Sequence, residues 1–202
     1  MSWVVFDYGG VISQHQPAAE VARLARAAGC PEDEFTGAYW AHRLGYDTAE
    51  LDAAAFWQQV ASTLGRSFSD TKVAELTRLD IESWLHLQQP TVALIEQVAA
   101  AGHRLALLSN APADVARAIA ALAVAGHFEH LVFSCFLRSA KPDPACFGAA
   151  LSQLGAAAGE VVFLDDRAEN VAAATALGIQ GVHFTGPAWA RAELSRQGVL
   201  TV

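Results

Sequence analysis

The 202-residue sequence has few charged residues, 17% of the total, and only two lysines, Lys72 and Lys141. Its net charge is -8, and the basic residues form no cluster along the chain. Nucleic acids and anionic membrane surfaces are bound by clustered lysine and arginine, so this composition argues against both as main partners. The sequence also lacks any apolar run near the roughly 20 residues that a membrane-spanning helix needs.

Cysteine is scarce as well. Cys30, Cys135 and Cys146 are odd in number and widely spaced, which suits neither a disulfide framework nor a zinc site. We expect reduced, buried thiols and a cytoplasmic protein, because the first residues, MSWVVFDYGGVI, also lack the features of a signal peptide. Apolar residues, in contrast, make up 53% of the chain, which is enough for a sizeable core and argues against disorder.

Short apolar runs bounded by turn-forming residues predict buried strands, because each run is too short for a helix. These runs cover residues 3–6, 105–108, 131–133, 161–164 and 182–184. Between the later runs, alanine-rich segments with helical spacing lie at 114–124, 144–154 and 168–177. The alternation of strands and helices predicts an α/β fold with three layers, a Rossmann-like parallel sheet covered by helices on both faces.

Almost one hundred residues separate the first two predicted strands, far more than one crossover connection needs. Apolar residues at three- and four-residue spacing predict helices within this segment. The predicted helices cover 18–28, 32–44, 49–64 and 69–87, and a further helix at 91–102 leads to the second strand. We therefore predict two domains, a sheet domain formed by 1–16 and 89–202 and an inserted helical domain formed by 17–88.

Polar residues follow four of the predicted strands, where reactive groups of an open parallel sheet collect. Asp7 follows the first strand, and Ser109 with Asn110 follows the second. Lys141 comes a short loop after the third strand, and the pair Asp165-Asp166 follows the fourth. An aspartate after a strand is often only a helix cap, so each of these residues alone is a weak indication of a site.

Taken together, the segments VVFDYGGVI, LLSNA, KPDP and VVFLDDRAENVAAA occur in the order and setting of the four motifs of the haloacid dehalogenase superfamily, which this sequence resembles. The resemblance runs from residue 1 to about residue 186, and the inserted helices are similar to that family's helical cap. It implies a magnesium-dependent hydrolase, a phosphatase of a small phosphorylated metabolite such as a sugar phosphate. Asp7 would be the nucleophile and would form an aspartyl-phosphate.

The resemblance also implies a role for each polar position. The metal ligands would be the Asp7 side chain, the backbone carbonyl of Gly9 and Asp165, with Asp166 beside them or bound through water. Mg²⁺ suits such oxygen ligands and offsets the repulsion between carboxylates and a phosphate. The Ser109 hydroxyl would donate to a phosphate oxygen, and Lys141 would supply a positive charge.

Further residues are predicted to bind the substrate. Glycine at position 10 lets the backbone bring N–H groups close to an anion, and Asn110 would position the loop. In the cap, Arg43 is predicted to reach a substrate oxygen and Trp40 or Tyr46 to line an apolar wall. All three can equally be packing residues of the helical domain, as Trp57 and Trp84 are predicted to be. The alternatives for Asn170 are that it orients the Asp165 loop or lies on an exposed helix turn.

Gly9 departs from the family pattern, because family phosphatases usually carry there a second aspartate that acts as general acid and base. Three hypotheses follow. The protein is a phosphatase whose substrates have good leaving groups, a 2-haloacid dehalogenase, or a non-catalytic binding member that kept the pocket. His15, a few residues beyond Asp7, is either a substitute proton donor or an exposed flap histidine. The sequence leaves open whether the protein is a monomer or a homodimer.

Overall fold

The structure, a computed structural model, describes residues 3–201. Its sheet has five parallel strands in the order β3-β2-β1-β4-β5. The strands are β1 (Trp3–Phe6), β2 (Arg104–Ser109), β3 (His130–Phe133), β4 (Val161–Asp165) and β5 (Gln180–His183). The predicted parallel sheet is therefore confirmed, and its strands differ from the predicted runs by at most two residues at either end.

Helices precede and separate these strands. In chain order they are α1 (Ala18–Ala28), α2 (Glu32–Asp47), α3 (Ala53–Thr63), α4 (Asp70–Ser83), α5 (Gln89–Ala100), α6 (Ala113–Ala120), α7 (Ser134–Leu137), α8 (Pro144–Leu154), α9 (Ala168–Ala176) and α10 (Pro187–Arg196). Two short 3-10 helices, Ala123–His127 and Ala158–Glu160, complete the connections. None of the helices in residues 3–201 is both long enough and apolar enough to cross a membrane.

The sheet has a separate hydrophobic cluster on each face, as a three-layer α/β fold requires. On one face, Val4 and Phe6 of β1 pack with Leu94 and Ile95 of α5. On the other face, the alternate residue Val5 packs with side chains of α8 and β4. Because successive strand residues point to opposite faces, β1 contributes to both clusters, and it lies at the centre of the sheet.

Helices α1 to α4, which we call the cap, lie between β1 and α5 and have a hydrophobic cluster of their own. Phe35, Phe56 and Trp57 are fully buried in it, and Phe56 stacks on Tyr46 with ring centroids 4.5 Å apart. A separate core is what an independently packed unit needs. The division of the chain into domains 1–16 with 89–202 and 17–88 stays a prediction that this arrangement favours.

Two cap helices are shorter than predicted, because local interactions end them. Helix α3 begins after Asp52, whose side chain accepts a hydrogen bond from the Ala55 N–H at 2.8 Å, and Ala49 has a positive φ of 57° that helices do not tolerate. Helix α4 ends at Ser83, where the Trp84 carbonyl accepts hydrogen bonds from the Ser13 and Tyr8 hydroxyls. These bonds tie the end of the cap to the segment after β1.

Candidate active site

The polar residues predicted from the strand ends meet at one edge of the sheet. Asp7 directly follows β1, and its N–H donates to the Leu164 carbonyl of β4 at 2.9 Å. Ser109 is the last residue of β2 and Asp165 the last of β4, the two strands that flank β1. Parallel pairing aligns the three ends, so residues about 100 and 160 positions apart in sequence become neighbours.

A buried lysine joins the two carboxylates of this edge. The Lys141 Nζ atom lies 2.7 Å from Asp7 Oδ1 and 2.7 Å from Asp165 Oδ2, and it also donates to the Leu108 carbonyl at 2.9 Å. Its side chain is 1% exposed, so the attraction between these charges is weakly screened by water. A compact ammonium group at this point faces both acids at once.

Asn110 fixes the backbone of this lysine. Its Nδ2 donates to the Lys141 carbonyl at 2.8 Å, and its Oδ1 accepts from the Lys141 N–H at 2.9 Å. The side chain therefore binds both polar groups of one residue 31 positions away and holds the third motif against the second. These bonds position the loop that carries Lys141, and a role of Asn110 in substrate binding stays a prediction.

Burial raises the pKa of Asp7 to about 7, against the opposing effect of the Lys141 charge and with the Asp165 charge adding to the rise. Burial alone would lower the pKa of Lys141, but the charges of Asp7 and Asp165 outweigh it and raise that pKa. Lys141 is therefore held in its charged form. The carboxylate of Asp7 is the group whose charge depends on what else enters the site.

The three acids of the site fit a divalent cation. Asp7, Asp165 and Asp166 each offer a carboxylate oxygen, and these three atoms lie within 4.8 Å of one another. Oxygen-only donors of this kind suit Mg²⁺, which also keeps water in its shell. The buried Oδ1 of Asn170 has no hydrogen-bond partner among the described residues, so it can accept a bond from such a water. The donor set therefore fits the predicted metal.

Asn170 orients Asp165 from the other side. Its Nδ2 lies 3.0 Å from each carboxylate oxygen of Asp165, and the Arg167 N–H donates to Asp165 Oδ1 at 2.9 Å. Asn170 is 2% exposed, which answers the question left open by the sequence, because it contacts the Asp165 loop and does not lie on an exposed turn. Groups that orient a ligand in this way commonly tune metal affinity.

Gly10 is favoured by its backbone conformation and by close neighbours. It has a φ of 77°, which glycine adopts without strain, and a Cβ placed on it would lie 2.5 Å from Asp166 Oδ2, so that side chain would have to move. His15 approaches the same carboxylate, with its Nε2 atom 3.0 Å from Asp166 Oδ2, and its side chain is 70% exposed. His15 is thus both near the acids and open to solvent.

A cleft of about 130 Å³ opens at this edge between the sheet and the cap. The sheet side contributes most of the predicted site residues. The cleft is lined by Asp7, Gly9, His15, Trp40, Arg43, Asp47, Trp84, Ser109, Asn110, Lys141, Asp166, Arg167 and Asn170. Ser109, which is 3% exposed, lines this space with Asp7, and its role as a phosphate ligand stays a prediction. The cleft therefore joins a carboxylate, an ammonium group and a hydroxyl in one place.

The two predicted cap ligands have different positions. Arg43 lines the cleft, but its Nε binds Asp47 Oδ1 at 2.7 Å and its Nη1 lies 3.4 Å from Asp80 Oδ2. Tyr46 is not among the residues that line the cleft. Its hydroxyl donates to Asp114 Oδ2 of α6 at 3.0 Å, so it joins the cap to the sheet domain at a different point. Roles for both in substrate binding remain predictions.

Residues 1–178 match the haloacid dehalogenase-like hydrolase family. The chain belongs to this family of hydrolases. A curated relative, a sesquiterpene phosphatase from Aspergillus oryzae, is 24% identical over 186 residues, which cover 90% of this chain and 88% of the relative. The resemblance inferred from the four motifs is therefore confirmed at the level of the family.

Solved structures of other members have the same fold. A family enzyme from Bacteroides thetaiotaomicron, in complex with magnesium and inorganic phosphate, has a TM-score of 0.71 at 21% identity, covering 89% of this chain and 91% of that one. An L-2-haloacid dehalogenase from Xanthobacter autotrophicus, with covalently bound chloropropionic acid, has a TM-score of 0.71 at 20% identity, covering 98% and 84%. At these sequence identities the similarity shows only that the three proteins have the same fold.

Two residues that line the cleft were not predicted from the sequence to lie there. Trp84 was predicted to be a packing residue of the cap, but it follows the end of α4 and lines the cleft opposite Gly9. No spacing pattern marks a residue that follows a helix end, so its position depends on how the chain returns to the sheet. Asp47 lines the cleft too. The one sequence feature that could have indicated this is its position four residues after Arg43, on the same helix face.

Proposed function

We propose that this hydrolase is a magnesium-dependent phosphatase that acts on a small phosphate monoester through Asp7. The observation that carries the proposal is the joining of Asp7 and Asp165 by one buried ammonium group, Lys141, beside a third carboxylate that completes a cation site. A phosphate dianion could be bound next to these acids only if cations offset their charge. The phosphatase among the relatives supports the same reaction class.

In the proposed reaction, a carboxylate oxygen of Asp7 attacks phosphorus, and the bond from phosphorus to the ester oxygen breaks, with its electron pair going to the leaving oxygen. Both contacts of Asp7 Oδ1, with Lys141 and with the Tyr8 N–H at 2.7 Å, hold the carboxylate in one orientation. Water then attacks the phosphorus of the aspartyl-phosphate and releases phosphate and Asp7. Mg²⁺, when bound, would offset negative charge on the transferring phosphoryl group.

Lys141 and Ser109 have complementary roles in this proposal. The Lys141 ammonium offsets charge on the phosphoryl oxygens and on the nucleophile, and its burial makes that interaction strong. The Ser109 hydroxyl donates to a phosphoryl oxygen from the neighbouring strand end. Asn110 keeps Lys141 at the required distance through its two backbone bonds. Each of these groups acts by charge or position, so the proton for the leaving group has to be accounted for separately.

Gly9 supplies no side chain to protonate the leaving group. A general acid contributes about a hundredfold to ten-thousandfold, so the proposed substrates are esters whose alcohol leaves readily as an anion, such as aryl phosphates or a sugar 1-phosphate. A side chain at position 9 would also meet the cap, because a Cβ there lies 3.2 Å from Cζ3 of Trp84. Gly9→Asp is therefore expected to raise turnover of alkyl phosphates only if the Trp84 ring can shift.

Dehalogenation is the second candidate, favoured by the missing acid at Gly9 and by the dehalogenase among the solved structures of the same fold. An aspartate that displaces halide needs no metal, however, whereas Asp165 and Asp166 lie within ligand distance of Asp7. Release of chloride from a 2-haloacid in the presence of chelator would favour this candidate over the phosphatase.

The test of the phosphatase proposal is a screen of phosphate esters with and without Mg²⁺, with Asp7→Asn as the blank. We expect aryl phosphates to be hydrolysed only with Mg²⁺, and Asp7→Asn to lower kcat by about 10⁴-fold or more, because it removes the nucleophile. The variant should stay folded, since Lys141 keeps Asp165 as a partner. Hydrolysis that is unchanged in Asp7→Asn, or no hydrolysis of any ester, would refute the proposal; the latter result with Mg²⁺ still bound would favour a binding protein.

A further inference from the structure

We propose that Trp84 and Trp40 form an aromatic binding site for the leaving group, so that this hydrolase selects phosphate monoesters whose leaving group is an uncharged aryl group. The inference rests on the proposed phosphatase function and adds the class of alcohol. Four residues line the cleft on the cap side, three from α2 and one that follows α4. They are Trp40, Arg43, Asp47 and Trp84.

Trp84 is placed next to the nucleophile. A Cβ built on Gly9 would lie 3.2 Å from Cζ3 and 3.8 Å from Cε3 of the Trp84 ring, so the indole lies directly against residue 9, two positions after Asp7. The backbone of Trp84 is fixed, because its carbonyl accepts hydrogen bonds from Ser13 and Tyr8. An aromatic ring therefore lines the cleft two residues from Asp7, within reach of a leaving group on a phosphate bound there.

Trp40 extends this aromatic surface toward solvent. Its ring meets that of Trp84 edge to face, with centroids 6.4 Å apart and an interplanar angle of 90°. Trp40 is 51% exposed although it lines the cleft, whereas Trp57 of the same cap is fully buried. A large aromatic side chain left half in water at the mouth of a cleft is suited to contact a ligand.

The remaining cap residues of the cleft provide no spare cation. The Arg43 guanidinium contacts both Asp47 and Asp80, so the three groups carry a formal charge of -1 when both acids are ionised. The guanidinium also lies 5.4 Å from the Trp84 ring centroid. A second phosphate or a carboxylate on the cap side of the cleft would therefore meet net negative charge, and an uncharged group is favoured on that side.

The size of the cleft limits how much of the substrate is enclosed. A volume of about 130 Å³ is below the roughly 300–1,000 Å³ of pockets that enclose drug-sized ligands. The phosphoryl group and the first atoms of the alcohol would fill it, and the rest of the leaving group would lie along the exposed face of Trp40. Flat, unsaturated groups gain most from such contact, because π-faces and edges attract one another.

Two phosphonates that differ only by a phenyl ring test this site without any chemical step. Binding of benzylphosphonate and methylphosphonate in the presence of Mg²⁺ is measured by calorimetry. We expect benzylphosphonate to bind about tenfold more tightly to the native protein, the size of a well-formed aromatic contact. Trp40→Ala and Trp84→Ala should each reduce that ratio to about twofold or less while methylphosphonate binding is kept.

Trp189→Ala is the matched control, because Trp189 is 47% exposed on α10 and does not line the cleft. This variant should keep the native ratio. Trp40 is half exposed, so its variant is expected to fold even if Trp84→Ala does not. As a kinetic readout, Trp40→Ala should raise KM for phenyl phosphate with little change in kcat.

The outcomes separate the two proposals. A benzyl to methyl ratio near one in the native protein, or a ratio kept in Trp40→Ala and in folded Trp84→Ala, overturns the aromatic site. If methylphosphonate binds and Asp7-dependent hydrolysis is found in either case, the phosphatase proposal still stands. If neither phosphonate binds and no ester is hydrolysed, the phosphatase proposal fails and this inference fails with it.

Discussion

Residues 3–201 contain two buried clusters in which one cation lies between two carboxylates, and the clusters differ in what surrounds the acids. In the sheet domain, Lys141 lies 2.7 Å from oxygens of both Asp7 and Asp165. Asp7 Oδ2 accepts no hydrogen bond from residues 3–201, and Asp166 approaches within ligand distance. The acids of this cluster therefore remain able to take a further cation or a substrate.

In the cap, the corresponding cluster is closed by hydrogen bonds. Arg43 binds Asp47 and Asp80, and Asp80 Oδ1 also accepts from the Tyr39 hydroxyl at 2.7 Å. The backbone of Asp47 is occupied too, because its carbonyl accepts from the Ser134 hydroxyl of the sheet domain at 2.6 Å. Both carboxylate oxygens of Asp80 have partners within the protein, and the cluster joins the cap helices to one another and to the sheet domain.

The comparison shows that charge composition does not decide whether a buried cluster reacts or supports the fold. Each cluster contains one cation and two acids, and burial favours the neutral form of the acids. Burial raises the pKa of Asp47 and of Asp80, as it does that of Asp7. The difference lies beside each pair: a third carboxylate, Asp166, lies within ligand distance of Asp7 and Asp165, whereas the Tyr39 hydroxyl donates to Asp80 in the cap.

Among the tests of this difference between the clusters, Arg43→Met is expected to have the largest effect, which is on the free energy of unfolding. Removing the guanidinium leaves Asp47 and Asp80 buried without a counter-charge, so we expect the free energy of unfolding to fall by about 3–5 kcal/mol. Urea denaturation measures it. Arg78→Met, which removes an exposed pair with Glu82, is the control and should change little.

The pH dependence of the Arg43→Met effect has a defined sign. Without the cation, the folded-state pKa values of Asp47 and Asp80 rise further, because the Arg43 charge lowers both in the native protein. An acid with a raised folded pKa stabilises below its unfolded pKa and loses that stabilisation as pH rises through the folded one. The deficit should therefore shrink as pH falls from 7 toward 4. A deficit that does not vary with pH, or a loss of activity without a loss of stability, would contradict a structural role.

A smaller effect is expected from Asn170→Ala, which releases Asp165 from one side. Mg²⁺ affinity should fall by about 10–100-fold, because groups that orient a ligand carboxylate commonly contribute that much. Calorimetric titration of the purified protein with Mg²⁺ measures it. Asn110→Ala, which acts on the Lys141 backbone, is the comparison variant and should lower kcat more than metal affinity. Equal Mg²⁺ affinity in native protein and Asn170→Ala would show that Asn170 does not support the cation site.

The smallest effect is predicted for Tyr46→Phe, which removes the hydroxyl that binds Asp114 across the cap and α6. We expect a loss of about 1 kcal/mol in the free energy of unfolding, the usual contribution of one hydrogen bond, with KM unchanged. Thermal denaturation and steady-state kinetics together measure it. A raised KM with unaltered stability would instead restore the substrate-binding role predicted from the sequence.

The sequence predicted best where local chemistry and topology agree. Asp7 and Asp165 follow apolar runs that can only be buried strands, and parallel pairing then requires them to meet, so no side-chain detail was needed. Gly10 was predicted to let the backbone fold tightly near an anion; its φ of 77° is a conformation that glycine adopts readily, and its contact with an anion stays a prediction. The sheet edge could therefore be assembled from spacing and residue type alone.

The cap was less predictable, because helical periodicity shows which residues share a face but not what that face meets. Arg43 and Tyr46 were placed together as substrate ligands, yet Tyr46 contacts α6 and Arg43 is paired with two acids. Asp80 lies 37 residues beyond Arg43, so no local sequence pattern indicates that the two side chains are paired. Trp84 reaches the cleft only because the chain turns back to Ser13 after α4.

The most direct test of the central claim is a crystal structure grown with Mn²⁺ in place of Mg²⁺, with the ion located by its anomalous signal. We expect one ion coordinated by carboxylate oxygens of both Asp7 and Asp165, with Asp166 bound directly or through water. An ion bound elsewhere, or an ion held by one of these two acids without the other, would contradict it.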